Sequence, residues 1–419
     1  MVSVERTAHS VEPAALGGGV LRLLLAESVS VAGDWILITA ASIAVFNETN
    51  STVAVSVLLA LVALPTVLLG PIAGALADRY ERRRLIVLAD ACSAIVLIIC
   101  MAVAAAGFPL ASVYSAVIVV NILATFHRPA SEALMPSLAG SVNLGRANSM
   151  LRMGTRIAMI VGPAIAGALM GAGGLRLVFA ADALSFVGSA VLVAGIARTA
   201  GAGVRSHADS AWTSALAGFD YARHSTKVRT VIFAIGATML VAQVVNAGTL
   251  ALVSDVLDLP SSRYGALLAA EGGGALVLAV LFTYLGPRLP LIPTGGAALL
   301  ITGVSIVGLG LAPGIVVAMA SMAVMGMGVI GLQVAFTSYL QRETPDALLG
   351  RTMSLVSVVA SIAALLGLTA AGPMVYLLGV RTAFVAAGLV ICASGIPVLA
   401  LLRLPVTAPE STSGDAASA

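Results

Sequence analysis

The sequence predicts an all-α membrane protein of twelve transmembrane helices, arranged as two parallel six-helix repeats. Three observations lead there. Of the 419 residues, 59% are hydrophobic and 10% charged, with a mean hydropathy of +1.06, whereas a soluble domain carries roughly 25% charged residues. Apolar stretches long enough to cross a bilayer recur from end to end. The chain also repeats itself: Leu144-Gly145-Arg146 recurs 205 positions later as Leu349-Gly350-Arg351, and Ser149, Gly162, Gly167, Arg176 and Phe179 recur as Ser354, Gly367, Gly372, Arg381 and Phe384.

Apolar runs, read against polar and Gly/Pro breaks, place the helices at 20–46, 52–77, 85–107, 110–134, 147–170 and 175–197, then at 228–257, 264–285, 291–311, 315–340, 349–378 and 382–402. The expected organisation is a tail over 1–19, a six-helix half over 20–197, a polar linker over 198–227, a second half over 228–402 and a tail over 403–419. Six helices fall within one repeat, an even number, so the halves share one membrane orientation. With the N-terminus cytoplasmic, the exterior loops hold only Arg176, Arg263 and Arg381 of the 22 Lys and Arg residues. Basic residues favour the cytoplasmic side, so both termini and the linker are expected inside, at the inner membrane. Asn47, Glu48, Asp255 and Asp258 then face outward. The first residues carry Glu5 and Glu12 and lack the basic-then-apolar order of a cleaved signal, so the first apolar run is expected to remain as a helix.

The sharpest local pattern runs from Gly70 to Arg84, at the junction of the second and third helices. Gly74 permits close helix approach, Asp78 ends the helix, and Arg79, Arg82, Arg83 and Arg84 form a basic cluster. A positive-inside anchor explains the arginines but not Gly74 with Asp78. This segment resembles the cytoplasmic signature of the major facilitator superfamily (MFS). The resemblance implies the MFS fold, alternating access, and a gating loop made by Gly74, Asp78, Arg79, Arg82 and Arg83. Glu81 stands where the family usually has glycine, and the equivalent segment of the second half, 275–289, keeps only Arg288.

Ala158, Gly162, Pro163, Ala166 and Gly167 form a stripe of small residues with a proline in the fifth helix. Such a stripe gives tight packing and a bend. It is similar to the Gly-Pro-x-x-Gly-Gly signature of drug/proton antiporters, with alanine at two glycine positions, and that favours export. Arg146-Ala147-Asn148-Ser149, the Gly162-Pro163 run, Asp182 to Phe186, and Thr344-Pro345-Asp346 with Gly350-Arg351 look like the subgroup of macrolide, multidrug and siderophore exporters.

Charges inside apolar helices are candidate machinery, because a carboxylate at the bilayer centre costs about 2.5–3.5 kcal/mol on insertion scales and turns toward the bundle interior or water. Asp34 lies mid-helix in the first span with Glu27 two turns earlier on the same face; Asp182 lies in the sixth and Glu271 in the eighth. Resemblance to exporters with first-helix acids makes Asp34 the leading proton site, with a structural hydrogen-bonding role as its alternative. Glu271 adjoins Gly272-Gly273-Gly274, where it either couples protons or satisfies a helix distortion. Arg128 and Glu132 have i,i+4 spacing, and Arg128 is a candidate partner of Asp78, in a gating or structural role shared with Arg351. Arg156 either meets a carboxylate or anionic substrate, or snorkels to the headgroups. Gln243, Asn246 and Gln333 are candidate cavity groups or interhelical hydrogen bonders. Met322, in a stripe with Met319 and Met325, is either cavity lining or core.

Several chemistries have no seat. The only lysine, Lys227, follows His-Ser-Thr, so no phosphate-binding P-loop exists. Gly326 to Gly331 matches a dinucleotide pattern but lies inside an apolar helix with no strand before it. The four histidines are scattered, no His-Glu-x-x-His or Gly-x-Ser-x-Gly occurs, and Cys92, Cys100 and Cys392 lie in apolar runs. The expectation is therefore not an enzyme and neither a cofactor nor a metal, but a monomeric exporter. Its partners are a small apolar or amphipathic molecule, protons and the lipid bilayer, with no nucleic acid. A siderophore or metabolite permease, and a transport-inactive membrane sensor or scaffold, are the alternatives.

Overall fold

The structure, a computed structural model, describes residues 16–197, 219–220, 222–285 and 289–400. The expected tails therefore lie largely outside the described residues, as does most of the expected linker. Among the described residues twelve helices are long and apolar enough to span a membrane: α1 Gly18–Thr49, α2 Thr52–Arg79, α3 Arg82–Ala105, α4 Pro109–Gly140, α5 Asn143–Gly173, α6 Leu175–Ala194, α7 Thr226–Ala251, α8 Tyr264–Leu285, α9 Leu291–Gly310, α10 Ile315–Glu343, α11 Asp346–Leu378 and α12 Val380–Ala400. No strand occurs among the described residues. Only closed hydrogen bonding is tolerated in hydrocarbon, and a helix supplies it within one segment.

Local chemistry sets the helix ends. The Ser51 hydroxyl accepts from the Ala54 amide at the start of α2, and the Ser225 hydroxyl accepts from Val228 at the start of α7. That cap starts α7 two residues before the apolar run, and Lys227 then reaches Glu343 of α10 at 2.9 Å. Gly174 and Gly379, 205 positions apart, both adopt positive φ (64° and 77°) between the fifth and sixth helices of each half. That conformation costs a residue with a Cβ but not glycine. α4 and α5 both outrun their apolar segments and meet at Gly140, whose φ of 64° and ψ of 170° break the helical path.

The exterior is apolar. Leu184, Val316, Tyr376 and Leu377 are 70–78% exposed, a surface that only lipid covers favourably. Polar side chains turn inward: Asp90, Ser93, His127, Asp182 and Ser189 are buried.

Small residues bring the helices together, and they do so symmetrically. In α5, a Cβ on Gly162 would strike Ala32 and Trp35 of α1, and one on Gly167 would strike Ser262 just before α8. In α11, the repeat-related Gly367 meets Leu240 and Gln243 of α7, and Gly372 meets Thr52 and Val53 of α2. Each first glycine thus receives the first helix of its own half, and each second glycine receives the segment around the start of the second helix of the other half.

Contacts between the halves close the end of the bundle that bears the α1–α2 and α7–α8 connections. There the Thr52 hydroxyl donates to the Gly372 carbonyl at 3.3 Å, and Gly265 of α8 lies against the Pro163 carbonyl of α5. At the opposite end, which bears the α2–α3, α4–α5 and α10–α11 connections, Cβ positions on Gly74, Gly145 and Gly350 meet nothing within 4 Å. The close approach expected at Gly74 is therefore not made in this conformation, because the halves stand apart at that end.

Candidate functional site

The separation leaves a central cavity of about 920 Å³ between the halves. α1 contributes Glu27, Val31, Asp34, Trp35, Ile38, Thr39 and Ser42, residues three and four apart and so on one helical face. From Glu27 to Ser42 the stripe is roughly 22 Å long at 1.5 Å per residue. α4 adds Arg128, Ser131, Glu132 and Met135, and α5 adds Asn148, Leu151, Arg152, Thr155 and Met159. The second half supplies Gln243, Asn246, Tyr264, Leu268 and Leu368. Asn246 donates to Gln243 Oε1 at 3.2 Å, and Gln243 donates to the Met239 carbonyl at 3.4 Å.

Glu27, Asp34 and Arg128 also line a small chamber of about 40 Å³ behind the α1 wall, with Ser30, Asp90, Ser93, His127 and Phe186. There His127 of α4 lies between two carboxylates. Its Nδ1 is 3.6 Å from Glu27 Oε1 of α1, and its Nε2 is 3.3 Å from Asp90 Oδ1 of α3. Sequence reading missed Asp90, although an acid inside an apolar run was a visible signal, and treated His127 as one of four scattered histidines. Their pairing emerges only when α1, α3 and α4 pack together.

The other expected residues divide by location. Asp182 is fully buried, accepts from Ser185 at 3.1 Å and abuts Gly33; it lines neither chamber. Glu271 faces a different groove, of about 410 Å³, between α5 and α8 and α10, together with Arg152 and Arg156. Arg156 donates to Gln333 Oε1 at 2.9 Å and so links the two halves. Met322 is buried in the core of the second half with Met325, and is not cavity lining. Arg128 and Glu132 both line the central cavity and make no ion pair with each other; facing water, they gain little by closing on one another.

In the loop segment, Arg82 donates to the Ala133 carbonyl at 2.7 Å, and Arg83 donates to the Val193 carbonyl at 3.2 Å and to Ala194. These arginines tie α3 to α4 and to the C-terminal end of α6, within one half. Arg79 is exposed, as is Arg351 near the start of α11, and the side chain of Asp78 lies outside the described residues. In the small-residue stripe, Ala158 and Ala166 are buried. Among the described residues no group of three His, Cys, Asp or Glu side chains could hold a metal ion.

Known proteins share this architecture. The chain is 26% identical over 396 residues to an uncharacterised MFS-type transporter, YfiS, of Bacillus subtilis, with 91% of this chain and 92% of that protein covered. It is 27% identical over 406 residues to the multidrug efflux pump Tap of Mycobacterium tuberculosis, covering 93% and 94%. It is 25% identical over 382 residues to macrolide efflux protein A of Streptococcus pyogenes, covering 87% and 92%. A bacterial homologue of the iron transporter ferroportin, in an inward-facing state, superposes with a TM-score of 0.70 at 20% identity, covering 92% and 99%. The nucleoside transporter NupG superposes with a TM-score of 0.70 at 12% identity, covering 92% and 98%. At such identities the structures speak to the fold alone. The Major Facilitator Superfamily signature matches residues 23–368, and with twelve spans in two repeats about a central cavity, the chain is a multi-pass membrane transporter belonging to that superfamily.

Proposed function

We propose that the protein exports small apolar or amphipathic molecules by proton antiport, moving them from the cytoplasm across the inner membrane through alternating access. The observation that carries this reading is the central cavity. Its volume suits a small molecule, its walls are mostly apolar, and Glu27, Asp34, Arg128 and Glu132 supply charge on one side while Gln243 and Asn246 supply hydrogen bonds on the other. A chamber open at one end of the bundle and closed at the other is one half of an alternating cycle. The arginine distribution favours a cytoplasmic open end, with both termini on that side. Tap and macrolide efflux protein A, both efflux proteins by name, favour export, and Glu27 and Asp34 at the cavity wall favour proton coupling. We take the monomer as the working unit, since one chain holds both halves of the cavity.

Accumulation of a panel of antibiotics and dyes, in cells with and without the protein, tests the reading. The expected result is lower accumulation of at least one compound, reversed by a protonophore. Equal accumulation of every compound would overturn export, and export insensitive to the protonophore would overturn proton coupling.

A further inference from the structure

Two groups of the small chamber, His127 and Asp90, have no place in the simplest antiport scheme, which needs only one cavity carboxylate. Glu27 faces both chambers, whereas His127 and Asp90 face only the inner one. The side chains of His127, Glu27 and Asp90 are 8%, 12% and 1% exposed. Glu27 Oε1 and His127 Nε2 make no hydrogen bond within the protein, and Asp90, whose oxygens make none of full geometry, has the Ser189 hydroxyl close by as a donor. Buried polar atoms in that condition are costly unless water or a moving proton serves them. The 40 Å³ chamber has polar groups on several sides and room for at least one water molecule. The 3.3 Å contact is not aligned as a hydrogen bond and the 3.6 Å one is just too long to be one, both within reach of a small side-chain shift.

The fold does not require this polarity. At the 205-residue offset the positions of Glu27, Asp90 and His127 are Ile232, Gly295 and Leu332 in the second half, where α7, α9 and α10 form the related trio. That half fills the same place with apolar residues and a glycine, so the acids and the imidazole are particular to the first half.

We propose that Glu27, His127 and Asp90 form a proton relay, with Glu27 as the port to the cavity, His127 as the carrier and Asp90 as an occluded store. This deepens the antiport reading and rests on it for its role in transport. The transfer balances as follows. Glu27, protonated from the cavity, gives its proton to Nδ1 of a neutral imidazole that bears hydrogen on Nε2, and Nε2 gives its proton to Asp90 Oδ1. Glu27 is left as a carboxylate, the ring in its other neutral tautomer and Asp90 as a neutral acid, and the reverse steps release the proton. Around His127 the other charged or titratable groups are Asp34 on α1, Arg128 on α4 itself and, beside Gly33, Asp182 on α6; α2 presents Thr66 near Thr125. Because the three members sit on α1, α3 and α4, loading the store alters how α1, which also carries Asp34, is held against its neighbours.

Infrared difference spectroscopy of the purified full-length protein in nanodiscs, after a rapid drop in pH, tests the relay without any transported compound. The wild type is expected to develop a protonated-carboxyl band that Asp90→Asn removes. In His127→Gln, which keeps hydrogen-bonding capacity but cannot carry the proton, the band should rise roughly a hundredfold or more slowly, and Glu27→Gln should slow it as well. Equal elution from a sizing column and equal helical content would establish that the variants fold. A wild type without an Asp90→Asn-sensitive band, or a band rising at the wild-type rate in His127→Gln, would overturn the relay. If antiport itself is wrong, the infrared result stands while reconstituted wild-type vesicles expel no dye of the panel, ethidium included, under an imposed pH gradient.

Discussion

Asp34 and Arg128 share the wall between the two chambers, so a carboxylate facing the substrate path has a guanidinium beside it. Asp34→Asn keeps the size and hydrogen bonding of the side chain and removes its titration. The expected outcome in proteoliposomes is that transport driven by a pH gradient falls at least about tenfold, while binding of the exported compound, measured by fluorescence quenching, partly survives. Near-normal gradient-driven transport by Asp34→Asn would eliminate it as the essential proton carrier and leave Glu27 in its place. Asp34, Glu27, Asp182 and Glu271 were legible in the sequence because a charge inside an apolar run stands out in one dimension. Their division was not legible: Asp182 is sealed against Gly33 and Ser185, and Glu271 faces another groove, since the direction of a side chain depends on which neighbour its helix meets. His127 carries no such signal, as its two acidic neighbours come from helices 37 and 100 residues away in the chain.

Among the elements, α5 and α11 do the joining. Both carry two glycines five residues apart and a proline, and at the second glycine of each the backbone of the opposite half comes close. The sequence repeat made these glycines visible, but not that the second of each pair faces the other half. The same ambiguity applies to Gly74, which meets no neighbour within 4 Å. A side chain at Gly265 would strike the Pro163 carbonyl. Overpacking of this kind costs about 1–3 kcal/mol and falls only on the state in which α5 and α8 touch, which shifts the two populations by roughly 5- to 150-fold. Gly265→Leu is therefore expected to slow transport and to raise labelling of a cysteine at Ser42, near the closed end of the cavity, by a membrane-impermeant maleimide added from outside. Unchanged labelling in a folded Gly265→Leu protein would show that this contact does not hold the external end shut.

At the scale of the molecule, two halves related by a 205-residue repeat meet along α2 with α11 and α5 with α8, and a cavity opens on one side of that seam. Alternating access requires the seam at the closed end to part in every cycle. Gly171 of α5 and Ser262 before α8 offer a way to prevent it. A Cβ on Gly171 would lie 3.9 Å from the Ser262 Cβ, inside the range of about 3.5–4.5 Å that a disulfide spans, and it would meet no backbone atom within 4 Å. In a protein whose Cys92, Cys100 and Cys392 are replaced, the Gly171→Cys/Ser262→Cys pair is expected to cross-link readily under mild oxidation. Transport should then fall in proportion to the linked fraction and return on reduction with dithiothreitol. The single variants should transport at near the parental rate under both conditions, because neither adds a constraint across the seam. Binding from the cytoplasmic side should persist in the linked protein, since the open end of the cavity is untouched. Full transport by a fully linked protein would mean that this end never separates, and a rocking of one half on the other would have to be abandoned for this chain.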